Sequence, residues 1–145
     1  MSGSRFDLSA LPFLEGAESF VSALQEQHFA AGEKIFDCGD VVEGMGFILS
    51  GRVGIKEQTG FEEKTQIIGL LDPGAPFGER LLTGLTTHSA GAVAVEETDI
   101  ALLSRGAWMK IREENPKLAR DLLEWVLGRV SLRLGKASAR LAHVL

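Results

Sequence analysis

Short apolar runs separated by turn signals dominate the middle of the chain, from residue 28 to residue 104. The turn signals read CGD at 38–40, SGR at 50–52, QTG at 58–60 and DPG at 72–74. The runs between and after them are rich in valine and isoleucine, for example GFILSG, RVGIKE, TQIIGLL, AGAVAVE and TDIALLS. Evenly spaced short strands of this kind are typical of an antiparallel barrel or sandwich.

The two ends of the chain follow a helical pattern instead. Residues 7–27 place apolar side chains at roughly helical spacing, with breaks near Pro12 and Gly16, which predicts one or two short helices. Residues 105–145 predict one helix and then a much longer one. The sequence therefore predicts an α+β protein of one domain, residues 1–145. An antiparallel β-roll or jelly-roll barrel (28–104) is flanked by N-terminal helices (7–27) and a long C-terminal helix (within 105–145).

The long helix is expected to begin at Pro116, with Asn115 as its N-cap, and to extend about 45 Å at ~1.5 Å per residue. One face shows the 3-4-3-4-3 spacing of a heptad seam: Leu127, Val130, Leu134, Ala137, Leu141 and Val144. Another face is mostly small: Gly128, Leu132, Gly135 and Ala139. Two such faces predict burial on two sides, one against the roll and one against a second copy of the chain. The alternative is a single helix packed within its own domain.

A basic stripe runs along the same helix. It contains Arg129, Arg133, Lys136 and Arg140, spaced four, three and four residues apart. Such a stripe can contact an anion, or it can be a solvated helix edge that complements the negative C-terminal dipole. On the residues alone, the solvated edge is the favoured interpretation.

Composition and charge exclude several classes of function. The net charge is −5, from 15 basic and 20 acidic residues, whereas nucleic-acid binders usually carry a basic surplus. No apolar run approaches the ~20 residues that span a bilayer, and the N-terminus lacks a signal-peptide core. Cys38 is the only cysteine, so no internal disulfide is possible. We therefore expect a cytoplasmic protein with no nucleic-acid or membrane partner.

Motifs of catalysis and metal binding are not visible in the sequence. It contains no Gly-x-Ser-x-Gly, no His-Glu-x-x-His and no clustered metal ligands. The three histidines, His28, His88 and His143, fall in three different predicted elements. We therefore expect neither an enzyme nor a metal site.

Three stretches of the chain resemble the cyclic nucleotide-binding domain family. Residues 29–55, FAAGEKIFDCGDVVEGMGFILSGRVGI, resemble its opening strands through Gly32-Glu33, Gly39-Asp40, Ile48, Gly51 and Val53. Residues 72–82, DPGAPFGERLL, look like its phosphate-binding cassette, centred on Phe77-Gly78-Glu79. Residues 93–111, VAVEETDIALLSRGAWMKI, are similar to its closing strands and first lid helix. The resemblance covers nearly all of residues 8–145. Family members that bind DNA carry a further helix-turn-helix domain, so this chain looks like the sensor half alone.

The resemblance implies a ligand site for a cyclic nucleotide, cyclic AMP or cyclic GMP, without a metal. It implies that residues 79–82 form a short helix whose backbone N–H groups face the phosphate. Gly78 would allow a close approach, and the Glu79 carboxylate would accept a hydrogen bond from the ribose 2′-hydroxyl. The full set of implied ligand-binding residues is Phe77, Gly78, Glu79, Arg80, Leu81, His88, Ser89 and Ala90.

His88 is the position at which this sequence departs from the family. The family has an arginine nine residues after the cassette glutamate, followed by serine or threonine and then alanine. Here the register gives His88, Ser89 and Ala90. Arginine is always charged and grips phosphate with a planar fork, whereas histidine is half charged near pH ~6.5. The cation of the cradle is therefore weakened or altered. Arg80 is a nearby substitute, although its side chain is expected to point elsewhere.

The resemblance thus implies a regulatory module that senses a cyclic nucleotide and signals through its C-terminal helix to an unknown effector protein. A homodimer is expected through that helix. The alternative is a degenerate module that binds no nucleotide and serves as a dimerisation or protein-interaction scaffold.

Overall fold

Two four-stranded antiparallel sheets make up the centre of the molecule. The computed structural model describes residues 5–12, 18–59 and 64–144. In these residues the strands are β1 Gln25–Phe29, β2 Lys34–Phe36, β3 Gly44–Ser50, β4 Val53–Thr59, β5 Lys64–Leu71, β6 Pro76–Phe77, β7 Gly91–Ala94 and β8 Thr98–Ser104. The first sheet has the order β1-β8-β3-β6 and the second the order β2-β7-β4-β5.

The two sheets form an antiparallel β-roll rather than a closed barrel, because no strand is shared between them. Apolar side chains from both sheets form the roll interior: Ile48, Val53, Leu71, Phe77, Ala92 and Ile100. Within the sheets Met45 pairs with Leu103 and Val53 with Ala94, and the register shifts at three places: Lys34/Phe36, Ile48/Ser50 and Ile55/Lys56. The predicted fold class is confirmed, with a roll in place of the barrel.

Helices cover the other face of the first sheet. They are α1 Glu18–Ala23, α2 Arg105–Glu114 and α3 Pro116–Val144, with short 3-10 helices at Leu8–Ala10 and Glu79–Thr83. Phe47 of β3 joins the layers, since its ring lies 6.1 Å from that of Phe20 in α1 and 6.2 Å from that of Trp125 in α3. The predicted break at Gly16 and the predicted turn at Gly60 lie outside the described residues.

The strand β1 begins three residues before the predicted roll, inside the segment expected to be helical. It pairs along its whole length with β8, from Gln25 opposite Leu102 to Phe29 opposite Thr98. Its first four side chains are exposed and polar, so the stretch shows no apolar alternation. The strand β1 therefore forms through backbone pairing at the edge of the sheet and not through burial of its side chains. For this reason the hydrophobic periodicity of the sequence does not predict it.

The long helix α3 divides into a buried and an exposed part. Asn115 caps it as predicted, because its Oδ1 accepts a hydrogen bond of 3.2 Å from the Leu118 amide. The first part packs on the core through Leu118, Ala119, Leu122 and Val126. The heptad seam that follows is largely uncovered, with Leu127, Leu134 and Leu141 exposed by 65%, 66% and 60%. No helix in the described ranges is long and apolar enough to cross a membrane.

Candidate functional site

A cavity of about 1160 Å³ separates the exposed part of α3 from the cassette, which we define as residues 72–90. Strands β4 and β5 form a third wall, with Ile55, Glu57, Ile68 and Leu70. Seven of the eight residues predicted to bind ligand line this cavity: Phe77, Gly78, Glu79, Arg80, His88, Ser89 and Ala90. The eighth, Leu81, is only 1% exposed and belongs to the core beneath the first sheet. Its side chain therefore does not face the cavity.

Gly78 makes the turn that presents Glu79. Its backbone is left-handed, with φ of 75° and ψ of 28°, a conformation that favours glycine. A Cβ at this position would also lie 3.3 Å from the Gly44 carbonyl oxygen and 3.5 Å from Cε1 of His88. Glu79 then opens the 3-10 helix Glu79–Thr83 with its side chain 31% exposed. The turn thus holds a partly accessible carboxylate at the mouth of the cavity.

Phe77 contributes mainly to the interior of the roll. It is 2% exposed, and its ring lies 6.1 Å from that of Phe36. The ring also covers Gly46, where an added Cβ would lie only 2.6 Å from it. Phe77 therefore fixes the base of the cassette, and its own side chain offers no polar contact.

His88 lies flat against Phe36 at the back of the cavity. The two rings stack at a centroid distance of 3.6 Å and an angle of 4°, and His88 is only 6% exposed. Backbone hydrogen bonds of 2.9 Å, from the His88 amide to Asp40 and from the Gly39 amide to His88, hold the segment in place. Burial lowers the pKa of His88 below its ordinary value, and Arg80 acts in the same direction, against Asp40 and Glu79. The imidazole is therefore neutral at pH 7 when the cavity is empty.

Arg133 of α3 reaches across the cavity to the cassette. Its guanidinium donates a hydrogen bond to the Pro76 carbonyl oxygen, and its Nη1 lies 3.8 Å from Oε1 of Glu79. Burial is the main cause that lowers the pKa of Arg133, while Glu79 opposes the shift. The interpretation of the basic stripe as a solvated helix edge is therefore wrong at Arg133. The only sequence signal for this contact is the four-residue spacing that places Arg133 on the same face as Arg129.

The wall formed by α3 is positively charged. All four cations of the basic stripe line the cavity, and so does Arg80, whose side chain was expected to point elsewhere. Three carboxylates line it as well, namely Glu57, Asp72 and Glu79. Two of these already face an arginine, because Asp72 lies 3.0 Å from Arg52 and Glu79 lies 3.8 Å from Arg133. The arrangement suits an anionic ligand. No group of three or more potential metal ligands occurs among the residues that the structure describes.

Comparisons with known proteins agree with this architecture. The profile of the cyclic nucleotide-binding domain matches residues 26–115. The Cyclic AMP receptor protein of Thermus thermophilus is 32% identical over 109 residues, which cover 74% of this chain and 50% of that protein. Lysophospholipase NTE1 of Candida albicans is 26% identical over 111 residues, only 8% of its length. The chain thus spans half or less of the curated relatives that it matches.

Solved structures show the same fold. A cyclic nucleotide-binding domain from Methylobacillus flagellatus superposes with a TM-score of 0.78 and 26% identity, over 86% of this chain and 69% of that one. The Catabolite Activator Protein of Thermus thermophilus superposes with a TM-score of 0.71 and 28% identity, over 92% of this chain and 62% of that one. The family profile covers the roll, the cassette and α2. This chain therefore belongs to the cyclic nucleotide-binding domain family.

Proposed function

We propose that the chain is a regulatory module that binds cyclic AMP or cyclic GMP in the cavity between the cassette and α3. The observation that carries this proposal is the contact of 3.8 Å between Glu79 and Arg133. It joins the carboxylate that would hold the ribose to the helix that would carry the signal. Occupancy of the cavity then acts directly on the position of α3.

The chemistry of the cassette matches the ligand in two ways. The Glu79 carboxylate accepts a charge-assisted hydrogen bond from the ribose 2′-hydroxyl, which is stronger than a bond between neutral groups. Arg80 and Arg133 line the same cavity and supply permanent positive charge for the cyclic phosphate. In this arrangement they supplement His88, which carries no permanent charge of its own.

The ligand would signal by competing with Arg133. A 2′-hydroxyl on Glu79 displaces the guanidinium, which then turns towards the phosphate and moves α3 with it. A ligand shifts α3 only if it binds one position of the helix better than another. The Glu79–Arg133 contact would provide that difference, because a ribose bound to Glu79 would replace it.

The exposed seam of α3 supports a homodimer. Leu127, Leu134 and Leu141 are more than half exposed and lie on one face. Pairing this face with a second copy removes the apolar surface from water at roughly 25 cal/mol per Å². The position of α3 would then be passed on through the dimer to an effector protein.

The alternative is a module that keeps the fold but binds no nucleotide. Two observations favour it, since Glu79 already has a cationic partner and His88 is stacked on Phe36 without a charge at pH 7. In this case Arg133 permanently joins α3 to the cassette, and the chain serves as a dimerisation scaffold.

Calorimetry with cyclic AMP and cyclic GMP separates the two functions. We expect saturable binding of at least one of them and no comparable heat with adenosine or guanosine. The cyclic nucleotide should be recovered intact, as expected of a binding module and not of an enzyme. Absence of binding up to millimolar concentration would support the scaffold instead.

Tryptophan fluorescence tests the signalling step. Trp125 lies on α3 between Phe47 and Arg129, whose guanidinium carbon is 5.4 Å from its ring centroid. In the variant Trp108→Phe, emission comes from Trp125 alone. We expect the emission to change with the same midpoint as the calorimetric titration. Binding without any change at Trp125 would contradict movement of α3.

A further inference from the structure

The basic stripe continues along α3 beyond the residue that contacts the cassette. Lys136 and Arg140 both line the cavity. At ~1.5 Å per residue they lie about 5 Å and 10 Å further along the helix axis than Arg133. In the described part of the chain neither side chain makes an ion pair or a hydrogen bond. Lys136 and Arg140 are thus two long, exposed cationic side chains on the α3 side of the cavity. Arg80 and Arg133 supply separate cations at the cassette end.

We propose that Lys136 and Arg140 form a second anion subsite, so that the preferred ligand is a nucleotide with two phosphate groups. This inference rests on the proposed function and specifies its ligand. The first phosphate lies at the cassette beside Arg80 and Arg133. The second lies one to two helical turns away, on the α3 wall.

The charge of the cavity supports two phosphates. Five cations and three carboxylates line it, so the lining carries a net charge of +2, which matches two phosphate charges. A cyclic mononucleotide carries a single negative charge, which Arg80 and Arg133 can meet at the cassette. It leaves Lys136 and Arg140 without a counter-charge. A second phosphate neutralises them, and side chains of this length can reach it from a helix wall.

The size of the cavity supports the same conclusion. Its volume of about 1160 Å³ lies above the roughly 300–1,000 Å³ typical of small-molecule sites. The α3 wall also includes Ala137 and Ala139, whose small side chains occupy little space beside Lys136 and Arg140. A ligand larger than a cyclic mononucleotide can therefore extend along α3 towards Lys136 and Arg140.

Two kinds of nucleotide meet this requirement. A cyclic dinucleotide has two phosphates within one ring, and a nucleoside 3′,5′-bisphosphate has two phosphates on an open ribose. Both keep a free ribose 2′-hydroxyl for Glu79, so both are compatible with the cassette. Their shared feature is the second phosphate, and the experiment below distinguishes between them.

The test compares ligands with one and with two phosphates by calorimetry. The probes are cyclic AMP, cyclic di-AMP and adenosine 3′,5′-bisphosphate, together with the corresponding guanine compounds. A charge-assisted contact predicts that at least one two-phosphate ligand binds about tenfold to a hundredfold tighter than the cyclic mononucleotide of the same base. Preference for cyclic di-AMP or its guanine form identifies a cyclic dinucleotide, and preference for the bisphosphate identifies an open one.

Variants identify the subsite. In Lys136→Gln/Arg140→Gln the advantage of the two-phosphate ligand should fall to about twofold or less. The control Lys110→Gln/Arg112→Gln removes two cations from α2, outside the cavity, and should keep the full advantage. Light scattering of both variants shows whether either pair acts on dimerisation instead.

Several results would overturn the inference. Equal affinity for one-phosphate and two-phosphate ligands removes the second subsite but leaves the proposed function intact. Binding of inorganic pyrophosphate as tightly as of the nucleotides shows only non-specific attraction. A change in oligomeric state without a change in ligand preference assigns Lys136 and Arg140 to the dimer. Absence of binding by every nucleotide overturns both proposals.

Discussion

Histidine in place of the family arginine predicts that ligand affinity depends on pH. Burial holds the pKa of His88 below its ordinary value near 6.5 in the empty protein. The ring packs against Gly78, since an added Cβ there would lie 3.5 Å from Cε1 of His88. A phosphate bound at this turn favours the protonated ring, because opposite charge stabilises the charged form. Proton uptake and ligand binding are therefore linked.

The size of the effect follows from the strength of a charged hydrogen bond. About 1.5–3 kcal/mol corresponds to a rise of about 1–2 pKa units on binding, and to an affinity change of about 10- to 100-fold. The affinity is constant above the pKa of the bound state and rises as the pH falls through that value. It levels off only below the pKa of the empty protein, which lies under about 6.5. The increase should therefore continue into mildly acidic solution.

Calorimetry between about pH 5 and pH 8 tests this prediction with three variants. His88→Arg supplies a permanent charge and should bind tightly at pH 8 with no pH dependence, since its planar group can still stack on Phe36. His88→Gln has no charge and should bind weakly at every pH. His28→Gln is the matched control, because His28 lies on β1, away from the cassette, where its hydrogen bond with Asp99 of β8 raises its pKa. It should retain the pH dependence of the wild type.

A flat wild-type profile, together with a His88→Arg variant that binds no tighter at pH 8, would refute the reasoning. His88 would then not face the phosphate. Thermal unfolding of each variant shows that a loss of affinity does not reflect a loss of fold.

Three further predictions concern the cassette, the dimer and the empty protein. Glu79→Ala should weaken cyclic nucleotide binding by about 1.5–3 kcal/mol in calorimetry. The free energy of unfolding should change by at most about 1 kcal/mol, because the ion pair between Glu79 and Arg133 is partly exposed. Unchanged affinity would mean that the cassette is not the site. Light scattering should give about twice the chain mass of 15.6 kDa for the wild type and for the control Leu132→Glu. Leu134→Glu should give the mass of a monomer, because it places a charge in the seam. A monomeric wild type would contradict the dimer. The pKa of His88 is lower in the folded protein than in the unfolded chain, so its contribution to stability is complete above about pH 6.5 and is lost as the pH falls towards the folded-state pKa. In denaturant titrations the free energy of unfolding should therefore fall more steeply with acid for the wild type than for His88→Gln.

The turn glycines explain why the fold could be predicted from the sequence. Gly39, Gly51 and Gly74, from three of the predicted turns, have φ of 91°, 88° and 91°. Only glycine adopts this conformation readily, so each residue marks a fixed point between strands. Turn glycines of this kind can be recognised in a sequence. The strand β1 cannot, because its polar side chains show no alternation of apolar and polar positions.

The site was less predictable, because its important contacts join distant parts of the chain. The spacing of the family motif identified Gly78, Glu79 and His88 in the sequence, but it could not show that His88 stacks on Phe36. The hydrogen bond between Arg133 and Pro76 spans 57 positions and depends on how α3 packs on the roll. Leu81 faces the core for a related reason, since a 3-10 helix has about three residues per turn and directs this side chain to a different side from Glu79 and Arg80.

The division of α3 into an anchored and a projecting part has a geometric consequence. Val126 is the last fully buried residue of the helix, and about 27 Å of helix follow it at ~1.5 Å per residue. Arg133 touches the cassette within the first half of that length. A rotation of about 10° at the anchor, which moves Arg133 by only about 2 Å, displaces the far end by about 5 Å. In the proposed mechanism the projecting part would act as a lever arm, and exchange of one ion pair at the cassette would be amplified into a displacement large enough to repack an interface.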